Sequence, residues 1–63
     1  MAKFTQTDAT TGQTKILDYP YSKLFYIKLH FATWAGLLYN IQKDGKTYNI
    51  TDAQTSELLY IIK

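Results

Sequence analysis

The stretch LFYIKLHFATWAGLLYNI, Leu24 to Ile41, holds the only Trp, the only His and two of the three Phe of a 63-residue chain. How it folds decides what the rest of the chain can become. As a helix, it places Leu24, Ile27, Phe31, Trp34, Leu38 and Ile41 at spacings of three and four. Phe25, Tyr26, Leu29 and Leu37 then lie off that face, so such a helix needs burial nearly all round. A chain this short can hardly supply it, because a domain of about 60 residues buries only about 60% of the surface its unfolded chain exposes. As a strand, Phe25, Ile27, Leu29 and Phe31 form one apolar face, and Tyr26, Lys28, His30 and Ala32 form a second that tolerates water. Phe, Tyr and Ile also favour strands over helices. The pattern therefore predicts a strand over 24–31. A membrane span fails on Lys28, His30 and Asn40, since a charge at the centre of a span costs about 3 kcal/mol.

The neighbouring segments follow from turn chemistry. Asp8, Thr10, Thr11 and Gly12 are turn formers between two strand-like runs, which predicts a hairpin over 3–19. Pro20 cannot donate to a ladder and turns the chain. Asp44-Gly45 is a strong hairpin signal, flanked by the alternating Leu37, Tyr39, Ile41 and Tyr48, Ile50. A rival reading makes 33–43 a short helix with Gly45 near its C-terminal cap. In TDAQTSELLYIIK, Thr51-x-x-Gln54 fits a capping box and Asp52 suits the positive end of a helix, which predicts a C-terminal helix over 52–62. No repeats are evident. The predicted fold is α+β, one domain over 1–63, with a small antiparallel sheet of four or five strands and a C-terminal helix. The alternative is a β-β-α-β-β-α order with a helix over 22–36.

Composition narrows the chemistry. The chain has no Cys, which excludes disulfides and thiolate metal sites. One His leaves only carboxylates to complete any metal site, and no cofactor loop is present, because Gly12, Gly36 and Gly45 are isolated. Ser22 and Ser56 sit where caps and turns use Ser. Asp8, Asp18, Asp44, Asp52 and Glu57 fall mostly at turns or caps, and no pair has a spacing that forces a shared site. The expectation is a chain without a catalytic centre, cofactor or metal. The polar start of the chain carries no secretion signal, and lack of Cys fits the cytoplasm. Asn49-Ile-Thr is accordingly read as strand sequence rather than a glycosylation site.

The candidate partner-binding residues are Tyr26, Lys28 and His30, which share the less apolar face of the predicted strand, and Trp34, which continues that face if the strand runs on. Tyr and Trp are enriched at protein interfaces. A small chain with 16% aromatic residues has more rings than its core can hide. The expected function is therefore a non-catalytic binding protein acting through protein–protein contacts, with self-association included. A short, Cys-free, catalytically bare chain suits a phage or mobile-element accessory protein that blocks a host target. The alternative is weak single-stranded nucleic-acid binding, with bases stacked on rings and Lys meeting the backbone. The net charge of +2 and the lack of Arg give that alternative little support. No membrane contact is expected.

The element order, with a hairpin, further strands and a short terminal helix after TDAQ, resembles the plan of small SH3-like archaeal chromatin proteins. The resemblance is one of element order only. Those proteins carry a dense positive charge for DNA that this chain lacks, so it implies a fold plan and no function.

Overall fold

The computed structural model describes residues 2–63. Strand β1 (Ala2–Asp8) turns through Ala9–Gln13 into β2 (Thr14–Tyr19). After Pro20 comes helix α1 (Lys23–His30), followed by a single 3₁₀ turn over Ala32–Trp34. A second hairpin joins β3 (Tyr39–Asp44) to β4 (Thr47–Asp52), and β5 (Leu58–Ile62) completes the structure. The fold is a small α+β one, with five antiparallel strands in one open sheet ordered β2-β1-β5-β4-β3.

Both predicted hairpins form, and Gly45 has the positive φ of 63° that its turn requires. Two other predictions are corrected. Residues 24–31 are not a strand but lie almost wholly in α1, the position given by the alternative reading. Residues 52–62 are not a helix. They form a turn and then β5, which pairs with β1 on one side and β4 on the other. The rival helix over 33–43 shrinks to the 3₁₀ turn, and β3 takes its second half. Since the likeness to chromatin proteins included a terminal helix, it ends with that element.

The C-terminal correction has a local cause. Asp52 Oδ1 accepts the backbone N–H groups of Gln54 (2.7 Å) and Thr55 (3.1 Å). These are the bonds a helix N-cap makes, but Ser56 then adopts φ 63°, in the left-handed region, and no helix can propagate through it. LLYII consequently follows its own preference for a strand.

The same turn occurs twice. Asp8-Ala-Thr-Thr-Gly-Gln and Asp52-Ala-Gln-Thr-Ser-Glu make matching hydrogen bonds. The Asp N–H donates to the carbonyl of Gln13 or Glu57 (both 2.8 Å), and Gly12 or Ser56 N–H returns to the Asp carbonyl (2.7 and 2.9 Å). Asp8 Oδ1 takes the N–H of Thr10 and Thr11 as Asp52 does those of Gln54 and Thr55. Gln13 and Glu57 each donate to a Thr hydroxyl at 3.3 Å. Gly12 occupies the left-handed position with φ 78° where the other turn has Ser56. Ala9 N–H donates to Leu59 O, so the two turns sit side by side at one end of the sheet.

Antiparallel register fixes the two faces, because directly paired residues point the same way. One face carries Phe4, Leu17, Tyr19, Ile41, Tyr48, Ile50, Tyr60 and Ile62, and α1 lies across it. Phe4, Ile27, Phe31, Tyr48, Ile50 and Ile62 make the buried core, with Ile27, Ile50 and Ile62 almost wholly enclosed. The opposite face has no helix and is rich in Thr, Asn and Gln, with Ile16, Leu59 and Ile61 among them. Among the described residues, no helix is long and apolar enough to cross a membrane.

Candidate functional site

Helix α1 is specified at both ends. Ser22 Oγ accepts the N–H of Phe25 at 3.1 Å, which caps the start. Lys28 and His30 stand in the last turn, where positive charge suits the helix dipole. The Thr33 hydroxyl donates to the carbonyls of Lys28 (3.1 Å) and Leu29 (3.2 Å), and Phe31 N–H closes the ladder on Ile27 O. Ile27 and Phe31, four apart, both point into the core.

That orientation decides where the four candidate residues go. On a helix, each residue turns about 100°, so Tyr26 and Lys28 lie about 160° apart around the axis rather than on one strand face. Tyr26 is half-buried on one flank. Its ring packs on Phe4 (5.1 Å between centroids), Tyr19 (5.3 Å) and His30 (4.5 Å). Its hydroxyl donates to Gln6 Oε1 at 2.7 Å. Burial pushes the Tyr26 hydroxyl pKa upward, and the neighbouring Tyr19 and Tyr60 add to the effect. Tyr26 and His30 are therefore brought together, with Tyr26 tied to the core. Lys28 is exposed on the other flank, and Trp34 lies half-exposed on the 3₁₀ turn.

The outward surface belongs to residues the strand reading placed elsewhere. Phe25 and Leu29, one turn apart, lie on the side of α1 opposite Ile27 and Phe31, with the Phe25 ring resting against Tyr21 (4.9 Å between centroids) and Tyr19 (6.3 Å). Phe25 and Leu29, with Leu24, Trp34, Leu37 and Leu38, are each 45–69% exposed. The signal for them was in the sequence: Phe25, Leu29 and Leu37 are the apolar residues that a helix could not hide. The segment carrying the last three is held by hydrogen bonds. Leu37 and Leu38 N–H both donate to Trp34 O (3.0 and 2.9 Å), and Ala53 N–H donates to Leu38 O (3.2 Å). Gly36, with φ 80°, bends the chain back so that its N–H reaches Tyr39 O at 2.9 Å. Six apolar side chains thus project from a short helix and a fixed turn, with Lys28 exposed on the flank beside them. At about 100 Å² each, they present on the order of 600 Å², at the upper end of the largest patch on an ordinary monomer.

A shallow concavity lies apart from this surface, on the helix-bearing face of the sheet. Gln6, Asp8, Gln13, Lys15 and Tyr60 line a shallow hollow of about 160 Å³. Its carboxylate already serves the adjoining turn, since Asp8 Oδ1 accepts the Thr10 hydroxyl at 2.6 Å and the Thr10 N–H at 2.9 Å. The Thr10 hydroxyl holds the Asp8 pKa below its ordinary value, helped by the Thr10 N–H. Among the described residues, no three His, Asp or Glu side chains gather as metal ligands.

No protein family matches the chain, and neither does any characterised protein or solved structure.

Proposed function

We propose that the chain is a non-catalytic binding protein that docks a protein partner through the outer side of α1 and the turn after it. The observation that supports this reading is the contrast between the two sides of one eight-residue helix. Ile27 and Phe31 complete the core, while Phe25 and Leu29 face solvent and continue into Trp34, Leu37 and Leu38. Interfaces concentrate their energy in a few aromatic and aliphatic anchors held in place before binding. Trp34 and Phe25 are anchors of that kind, and the hydrogen bonds around Trp34 O restrict the turn that presents Trp34 and Leu37. Lys28 at the margin supplies one charge to orient an acidic neighbour. Its action is to cover a partner's surface, as an inhibitor or accessory subunit does.

The test uses Trp34, the only Trp, as a built-in probe. A partner isolated with the wild-type chain is titrated against it. Its binding shifts Trp34 emission to the blue, and Leu29→Lys weakens binding by about tenfold or more while the far-ultraviolet circular dichroism stays unchanged. A partner that binds the folded Leu29→Lys chain as tightly as the wild type refutes the proposal. Quenching of Trp34 by a single-stranded oligonucleotide, weakening steeply with salt, would instead favour nucleic-acid binding.

A further inference from the structure

The five-stranded sheet ends in two free edges, β2 and β3, and they are not alike. At β3 the following observations show a guarded edge. The Tyr39 carbonyl, which faces away from β4, is taken by Gly36 N–H, and Ala35 forms a bridge with Tyr39. Lys43 stands further along the same strand. Covering loops and lysines are the devices that keep sheet edges from pairing with other chains.

The β2 edge has no covering loop, although it too carries a lysine, Lys15. Its outward backbone groups can be assigned from the ladder. Thr5 exchanges both hydrogen bonds with Lys63, the residue after β5 (3.0 Å each), and Asp8 N–H reaches Gln13 O. Bonding direction alternates along a strand, so Phe4, Gln6 and Asp8 bond toward β2, and their partners Leu17, Lys15 and Gln13 bond back. The N–H and C=O groups of Thr14, Ile16 and Asp18 therefore point away from the sheet. Register between β1 and β2 is regular from Ala2↔Tyr19 to Thr7↔Thr14, with no bulge, and Pro20 comes only after the strand. At the centre of this edge, Ile16 is 78% exposed, the highest value among the large exposed hydrophobic residues.

We infer that β2 is a self-association edge, pairing antiparallel with β2 of a second copy across a two-fold axis at Ile16. The sequence of the strand is self-complementary in that register. Ile16 meets Ile16 as a hydrogen-bonded pair, and Thr14 lies opposite Asp18 of the second copy, where hydroxyl can donate to carboxylate. On the helix-bearing face, Lys15 lies opposite Leu17. No like charges meet directly, and the three outward-facing residues of each copy satisfy one another's backbone groups. A register centred on Leu17 is excluded, because its backbone groups already bond to β1. Two five-stranded sheets join into one of ten strands, and the outer side of α1 stays free for the partner proposed above.

Sedimentation velocity and light scattering of the wild-type chain, from low-micromolar to high-micromolar concentration, test the inference. The wild type moves from monomer toward dimer. Ile16→Lys places two ammonium groups opposite each other and weakens the dimer roughly a hundredfold. Ile16→Pro removes an outward N–H without touching the β1 ladder and is monomeric. Should Ile16→Pro fail to fold, Ile16→Lys is read alone, since its side chain meets mainly solvent. An equimolar mixture of Ile16→Lys and Ile16→Glu recovers the dimer, and Leu29→Lys retains it. A wild type that stays monomeric throughout overturns the inference. So does a dimer that survives in folded Ile16→Lys, a mixture that stays monomeric, or dissociation by Leu29→Lys.

Discussion

The twin turns allow the cost of a left-handed residue to be measured twice in one molecule. Ser56 holds φ 63° where the equivalent Gly12 holds φ 78°. A side chain in this region costs about 1–2 kcal/mol, while glycine loses about 0.5–1 kcal/mol through its freer unfolded state. Ser56→Gly should therefore stabilise the fold by a net 0.5–1 kcal/mol or so. Gly12→Ser should destabilise it by a similar amount. A Cβ at Gly12 has no atom within 4 Å, so that loss is conformational and not a clash. For a domain of this size, these energies shift the melting temperature by about 4–8 °C, upward for Ser56→Gly and downward for Gly12→Ser. The double variant should melt near the wild type, because each turn's cost is local. Thermal melts followed by circular dichroism, with urea midpoints as a second readout, decide the matter. If Gly12→Ser melts with the wild type, or Ser56→Gly melts below it, the two turns are not equivalent and the account of why β5 replaces a helix loses its basis.

Other outcomes follow from the core and the turns. Ile50→Ala should cost about 2–5 kcal/mol, much of the roughly 3–9 kcal/mol available to 63 residues, and leave the chain largely unfolded at 37 °C; Ile50→Val should cost about 1 kcal/mol and stay folded by urea titration. Tyr26→Phe removes the hydroxyl that donates to Gln6 and should lower stability by about 1 kcal/mol with the fold unchanged. Asp8 has its pKa lowered in the folded state, so its contribution is present above its unfolded value near 3.8 and is lost as pH falls through the lower folded value. Melting between pH 5 and pH 2 should therefore fall less steeply for Asp8→Asn than for the wild type.

The sequence made some of this legible and hid the rest for identifiable reasons. The hairpins were readable because Gly12 and Gly45 answer a local demand for positive φ. Helix α1 was misread because its far side was assumed to need burial, whereas Leu29 stays half-exposed and Phe25 is covered only in part, by Tyr19 and Tyr21. The same residues that argued against the helix are the ones that now define its outer surface. Lys28 and Tyr26 were placed together by a period of two and are separated by the helical period. At the C-terminal end, an Asx turn and a helix cap use the same first two hydrogen bonds, so Thr51-Asp52-Ala-Gln54 could not distinguish them. The distinguishing signal was the likeness of TDATTGQ to TDAQTSE, since the first was already read as a hairpin turn.

The strand order also has a bearing on how the molecule comes to exist. The β1-β2 and β3-β4 hairpins are each local in sequence, yet neither touches the other in the sheet, because β5 lies between them. It is the last of the five strands to leave the ribosome, and it carries Ile62 into the core. Until then the nascent chain holds two unjoined halves and an incomplete apolar layer. The sheet thus closes only when one five-residue keystone inserts between the two hairpins, a long-range step that contact order expects to be slow.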